Sequence, residues 1–216
     1  MGENKLTENE VKRLWEAEWK ENDTLEKTAS PIGRILREQR LKITSEMLEG
    51  LSRDLSTIDM GCGGGTTLTL LRHIGFTKSI GIDFSEAAIR RCESLGFRVG
   101  VDVFNYDAKV TPYRDREFGL VFEEGLWEHF PDPTPFIKEA CRISDKWMLV
   151  IQPDHYTFFG GLLHWLWGRF NGGGVKEYSF PMQYFINQVK EHGFTLVQRR
   201  TTSLDIQSIL LFRREN

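Results

Sequence analysis

The chain has 216 residues, of which 40% are hydrophobic and 27% charged, and its 28 Lys and Arg against 31 Asp and Glu leave a formal net charge of -3. These proportions exclude the disordered, collagen-like and disulfide-scaffold classes, and a chain of this length buries roughly 70% of its unfolded surface without staples. The charge balance carries no global field for a phosphate backbone, so no nucleic-acid partner is expected.

Along the chain, Thr7 and Glu10 have capping-box spacing, and Val11, Leu14, Trp15 and Trp19 then fall on one helical face. Ser30-Pro31 reads as an N-cap followed by Pro at the first helical position. Ile32, Ile35, Leu36, Ile43 and Met47 form the apolar stripe of that second helix, with Gly50 as its stop. Residues 55–60 read as a buried strand, followed by a glycine cluster and a helix over 66–73. Residues 78–83 read as a second strand, and Ser85 caps a helix that ends at Gly96. Residues 97–103 and 118–123 read as the third and fourth strands. A helix over 134–142 leads into a fifth strand at 147–152. This alternation predicts an α/β, doubly wound parallel sheet covered by helices. A helix over 182–192 and two apolar strands at 194–200 and 206–212 close the chain. The link between the last two is too short for a parallel crossover, so they are predicted to pair as an antiparallel hairpin.

Cys62, Cys92 and Cys141 form no CxxC pair, and no His lies at metal-ligand spacing from them. Reduced thiols in a cytoplasmic protein, and no metal, are therefore expected. The polar start MGENKLTENEVKR is not a signal peptide, and the longest uncharged apolar-rich stretch, residues 155–168, is too short to span a bilayer.

The strongest local signal is Ile58-Asp59-Met60-Gly61-Cys62-Gly63-Gly64-Gly65-Thr66, where a strand meets a helix. Glycines there let the backbone turn sharply and approach a ligand, and the helix start offers free N–H groups. Asp83 ends the second strand, where an acid can accept from both hydroxyls of a ribose. A nicotinamide fingerprint read from Gly61 would need glycine at position 66, which is Thr66. Asp59 beside the loop suits a ligand with ammonium and sulfonium charge and would repel a pyrophosphate. A tight turn without a ligand is the plainer alternative.

With these residues the sequence resembles class I S-adenosylmethionine-dependent methyltransferases of the small-molecule type. Asp59, Met60, Gly61, Gly63 and Gly65 match the glycine-rich first motif, and Asp83 matches the ribose-binding acid. Asp107 and Ala108 match the adenine-contacting segment, and FGLVFEEGLWEH, residues 118–129, resembles the fourth strand and the following leucine–glutamate–histidine region. Gly119 stands where the family has Asp, and the tripeptide is interrupted as Leu126-Trp127-Glu128-His129. The resemblance implies a Rossmann-like, seven-stranded, mostly parallel sheet with an antiparallel last strand, and S-adenosylmethionine as cofactor. It places Phe84 on the adenine face, and Glu123 and Glu124 at the cofactor's amino-acid end, with Glu124 alternatively facing substrate. Residues 1–50 would form a helical arm over the cofactor site and residues 51–216 the catalytic domain.

The resemblance implies that the aromatic insert at about 155–178 acts as a substrate lid, with Gly160-Gly161 and Gly172-Gly173-Gly174 as hinges. An amphipathic helix burying Leu162, Leu163, Trp165 and Leu166, a subunit contact giving a homodimer, and a membrane surface are the other readings of the insert. His155, at the carboxyl edge of the sheet, is the first choice for a general base, ahead of His164 and His129. The acceptor implied is a small, partly apolar molecule. A non-catalytic cofactor-binding module and a nicotinamide-dependent oxidoreductase are the alternatives.

Overall fold

The computed structural model describes residues 6–21, 31–170 and 176–215. The apolar runs between glycines become strands β1 (Thr57–Met60), β2 (Ser79–Asp83), β3 (Val103–Asn105), β4 (Phe118–Glu124), β5 (Ser144–Pro153), β6 (Phe194–Thr201) and β7 (Gln207–Arg214). The helices are α1 (Glu8–Glu21), α2 (Pro31–Leu48), α3 (Thr66–His73), α4 (Glu86–Ser94), α5 (Thr134–Ile143), α6 (Phe158–Phe170) and α7 (Met182–Glu191). The strands form one seven-stranded sheet in the order β3-β2-β1-β4-β5-β7-β6. β1 to β5 are parallel, and β7 lies antiparallel to both β5 and β6. This is the expected Rossmann-like sheet with its terminal hairpin. The strand order reverses between β2-β1 and β4, which opens a crevice at the carboxyl ends of the strands.

Local signals hold at both predicted caps within the described residues. Thr7 and Glu10 exchange the bonds of a capping box, with Thr7 N donating to Glu10 Oε2 at 2.7 Å and Glu10 N donating to Thr7 Oγ1 at 3.4 Å. Ser85 Oγ accepts from Ala88 N at 3.2 Å and starts α4. Ser30 lies outside the described residues.

The third strand is a correction. The alternation of Phe97, Val99, Val101 and Val103 imitates a strand, yet β3 begins only at Val103. Residues 98–102 make a turn instead. Asp102 accepts from the backbone N and Nε of Arg98 at 2.8 and 2.9 Å and from Arg72 at 2.6 Å, which closes the loop. Val99 and Val101 are left exposed, while Phe97 is buried in a cluster with Leu68 and Cys92.

Strand alternation sorts the sheet into two faces. Ile58, Met60, Ile82, Val121, Met148 and Val150 enter the larger core cluster, which includes α5 and α7 residues. Leu120, Phe122, Leu149 and Ile151 enter the other, with Met47 and Leu48 of α2 and Leu71 of α3. Asp59, Asp83 and Glu124 therefore share the α2–α3 face, whereas Met60 and Glu123 lie on the opposite one.

Gly119 interrupts the β4–β5 register between Phe118 and Leu120, and its N–H donates to Ser56 Oγ at 3.1 Å. A β-carbon at Gly119 would stand 2.5 Å from Leu55 Cδ2 and 3.3 Å from Leu55 Cβ, so Leu55 fills the space that a side chain would take. Gly119→Asp is expected to lower stability by about 1–3 kcal/mol through overpacking, read as a lower Tm. An unchanged Tm would mean that Leu55 moves aside at no cost.

Candidate functional site

β1 ends at Met60 and α3 begins at Thr66, so a few residues must turn the chain. Gly63 and Gly65 sit at φ +49° and +83°, in the left-handed region where an L side chain is strained. Gly65 is the N-cap of α3, and no side chain caps this helix start. A β-carbon at Gly63 would stand 2.6 Å from Trp19 Cζ2. The loop is thus approached closely by α1 from outside.

The loop borders a cavity of about 380 Å³ whose lining includes Asp59, Gly61, Gly63, Thr67, Asp83, Phe84, Glu124 and Leu126, with Trp15 and Trp19 of α1 and Arg37 and Arg40 of α2. Asp59 is 1% exposed, and its Oδ2 has no hydrogen-bond partner among the described residues. Burial, reinforced by the charge of Glu124, pushes its pKa well above the usual carboxylate range. Asp83 is also buried, and burial raises its pKa to about 6 against the opposing pull of two amides. Those amides are Ser85 N, 2.8 Å from Oδ1, and Gly63 N, 3.0 Å from Oδ2. Each oxygen keeps a lone pair for another donor.

Two helices wall this cavity by long-range bonds. Glu124 pairs with Arg40 of α2 at 2.6 Å and accepts from Thr67 Oγ1 at 2.7 Å. On α1, Glu16 accepts from Ser85 Oγ at 2.5 Å and Lys12 pairs with Asp107 at 2.6 Å. Glu8 pairs with Lys109 at 2.6 Å. Trp15 stacks with Trp19 and meets the His129 ring edge-on, with centroids 4.8 Å apart.

The structure gathers Asp59, Gly61, Gly63, Asp83, Phe84 and Glu124 around the one cavity. It does not bring the other expected residues there. Met60 points into the larger core because it is one strand position from Asp59. Gly65 backs onto Cys92 and Phe97. Ala108 is buried in the core, and Asp107 is engaged by Lys12 and by the N–H of Lys109. Arg37, Arg40 and Thr67 were not expected. The polar positions between the apolar stripe of α2 carried the signal for the two arginines, and the threonine pair after Gly65 carried that for Thr67.

His155 also lies outside this cavity. It lines a neighbouring one of about 280 Å³ with Leu36, Pro153, Gly160, Leu163, His164, Glu177, Ile206 and Gln207, and Arg40 borders both. The His155 ring nitrogens are each 3.1 Å from a partner, Nδ1 from Ser179 Oγ and Nε2 from Glu177 Oε2, so it is not an unengaged base. The expected hinge at Gly160-Gly161 is instead a close contact. A β-carbon at Gly160 would lie 2.0 Å from the Asp154 carbonyl oxygen. Gly172, Gly173 and Gly174 lie outside the described residues. Leu163 and His164 face the second cavity, but Phe158, Leu162 and Trp165 are exposed. The insert therefore lines a pocket with one face only and does not bury Leu162, Leu163 and Trp165 as an amphipathic core helix would. No described helix is long and apolar enough to cross a membrane.

Residues 32–199 match the model of a family described as a methyltransferase domain. The chain belongs to that methyltransferase-domain family. It is 33% identical over 94 residues to the chloroplastic tocopherol O-methyltransferase of Arabidopsis thaliana, a match covering 40% of this chain and 26% of that one. It is 30% identical over 108 residues to the chloroplastic 2-methyl-6-phytyl-1,4-hydroquinone methyltransferase 1 of Oryza sativa subsp. japonica, covering 49% and 33%. The chain thus spans a third or less of the length of these two curated relatives. Among solved structures, the magnesium protoporphyrin IX methyltransferase of Synechocystis PCC 6803 with bound SAH aligns with a TM-score of 0.67 at 18% identity, over 86% of this chain and 88% of that one. That likeness is one of fold.

In this methyltransferase domain Glu123 is a buried brace of the site. Its Oε1 accepts from Leu126 N at 2.7 Å and Trp127 N at 3.3 Å, and Gln152 Nε2 donates to Oε2 at 2.9 Å. Complete burial pushes its pKa up to about 8 in spite of these donors. Glu123→Ala strands two buried amides and an amide side chain. It is expected to cost about 1–3 kcal/mol per stranded donor and to lower Tm by several degrees, with Glu123→Gln milder because one acceptor survives. Equal Tm values for Glu123→Ala and the parent would remove the bracing role.

Proposed function

We propose that this domain binds S-adenosylmethionine in the cavity at the glycine loop and transfers a methyl group to a small, partly apolar acceptor held in the neighbouring cavity. The observation that carries this reading is Asp59, a residue of the first cavity's lining whose buried Oδ2 has no hydrogen-bond partner among the described residues. An unpaired buried carboxylate is costly, and a cationic group beside it removes that cost. The ammonium of S-adenosylmethionine is such a group, whereas a pyrophosphate brings Asp59 no cation. Membership of the methyltransferase-domain family and the bound SAH of the Synechocystis structure support the same choice.

The bound cofactor supplies an electrophilic sulfonium methyl. The chain's own residues bind, orient and exclude water. Asp83 accepts from the ribose hydroxyls through its remaining lone pairs, and the amides at the start of α3 face the cofactor. Phe84 packs beside the adenine, and Trp15 and Trp19 of the N-terminal arm cover the cavity from solvent. Asp107 serves the adenine only after release from Lys12. The second cavity supports an acceptor with an apolar body, since Leu36, Pro153, Leu163 and Ile206 line it beside Arg40 and Gln207. His155, His164 and Glu177 border the space where this acceptor would sit.

Calorimetric titration with S-adenosylmethionine, S-adenosylhomocysteine, NAD and NADP tests the cofactor. Binding of the first two alone is expected, and binding of a nicotinamide cofactor instead would overturn the reading. Asp83→Ala is expected to weaken cofactor binding at least tenfold, since charge-assisted bonds are worth about 1.5–3 kcal/mol each. Undiminished affinity in the folded variant would remove Asp83 from the site. The pH dependence has a defined sign. Asp83 takes up a proton as pH falls through about 6, and the neutral carboxyl loses its charged acceptors. Cofactor affinity should therefore drop on the acid side of about 6, and Asp83→Asn should flatten that limb. A profile that is flat in the parent protein would contradict this.

A further inference from the structure

We propose that His155, His164 and Glu177 form a binding site for one divalent transition-metal ion of the zinc class, with an open coordination position toward the acceptor cavity. Their ligand atoms all lie within 4.8 Å of one another. His155 Nε2 is 3.1 Å and His164 Nδ1 is 3.7 Å from the same oxygen, Glu177 Oε2. Two ligands of a tetrahedral zinc ion, each about 2.0–2.2 Å from the metal, stand ~3.4 Å apart. The observed spacings bracket that value.

The bonding around His155 supports an ion. Its Nδ1 is 3.1 Å from Ser179 Oγ, the outer contact that a metal-ligating histidine makes through its second nitrogen. In the tautomer that donates its Nδ1 proton to Ser179, Nε2 carries a lone pair for an ion shared with Glu177. The two imidazoles are stacked with centroids 3.9 Å and planes 26° apart. Their lone pairs lie in the ring planes, so ligating one ion turns one ring out of this stack about its side-chain torsions.

The fold builds this cluster from separate elements. His155 follows β5, and His164 comes from α6, whose first turn is folded back by the close seat of Gly160 on Asp154. Glu177 is held by its neighbour Tyr178, whose N–H donates to the Glu128 carbonyl and whose hydroxyl accepts from Leu6 N at 2.9 Å. Two nitrogens and one carboxylate make three ligands, the number that leaves a fourth position for water or substrate. Arg40, Gln207 and Ile206 line the space beyond. An acceptor hydroxyl bound there would ionise more readily. That last role rests on the methyl-transfer reading, but the ion site does not.

The test is titration of Zn²⁺ into chelator-stripped, tag-free full-length protein near neutral pH. One equivalent should bind with a micromolar or tighter Kd, weakened at least tenfold in His164→Ala and in Glu177→Gln. Co²⁺ in place of Zn²⁺ should give the visible absorption of a tetrahedral site. Zn²⁺ affinity retained in His164→Ala would put the ion on other ligands and overturn the proposal. Absence of binding by the folded parent would also overturn it. Thermal melts check the variants, and Glu177→Gln carries the test if His164→Ala does not fold. S-adenosylmethionine titrated into the same sample separates the two readings, because its binding reports on the glycine-loop cavity alone.

Discussion

Asp59 sits near the end of β1, 1% exposed, with one carboxylate oxygen that no donor among the described residues satisfies, and burial together with the charges of Glu124 and Asp83 raises its pKa. A domain of this size is stable by only about 5–15 kcal/mol, so an unpaired buried carboxylate is a large concession. The surrounding structure is arranged around it. Arg40 neutralises Glu124, two amides partly satisfy Asp83, and α1 lies across the opening. Asp59 Oδ2 and the remaining lone pairs of Asp83 are left for whatever enters the cavity.

The period of a β-strand sets the geometry of this charge cluster. Adjacent acids on β4 go to opposite faces, so Glu124 meets Arg40 and Thr67 while Glu123 turns to Gln152 and the amides of Leu126 and Trp127. One acid shapes the cavity wall and the other holds the loop that forms its rim. The same alternation separates Met60 from Asp59. Parallel pairing then places Asp59 beside Gly81 and Phe122, which keeps the carboxyl ends of β1, β2 and β4 level.

The acceptor side depends on a different device, close backbone packing. Gly160 lets α6 start against the Asp154 carbonyl, which swings His164 onto His155 and leaves the aromatic face of the helix outward. Arg40 links the two halves, since it borders both cavities and is fixed by Glu124. A change of charge at Glu124 would thus be felt on both sides.

The sheet, the terminal hairpin, the glycine loop and the pair Asp59 and Asp83 were legible in the sequence. Each depends on residues within a few positions or on one strand period, and such local rules leave little freedom. Residues 97–103 show the limit of that logic, because a strand-like alternation lost to the bonds that Asp102 makes with Arg98 and Arg72. Tertiary structure alone decided that Lys12 engages Asp107, that Arg40 reaches Glu124, and that His155, His164 and Glu177 meet. Lys12 with Asp107 and Arg40 with Glu124 join residues more than eighty positions apart, and Glu177 reaches the two histidines only through the return of the chain after α6. Their meeting is set by how helices pack on the finished sheet, which no spacing along the chain encodes.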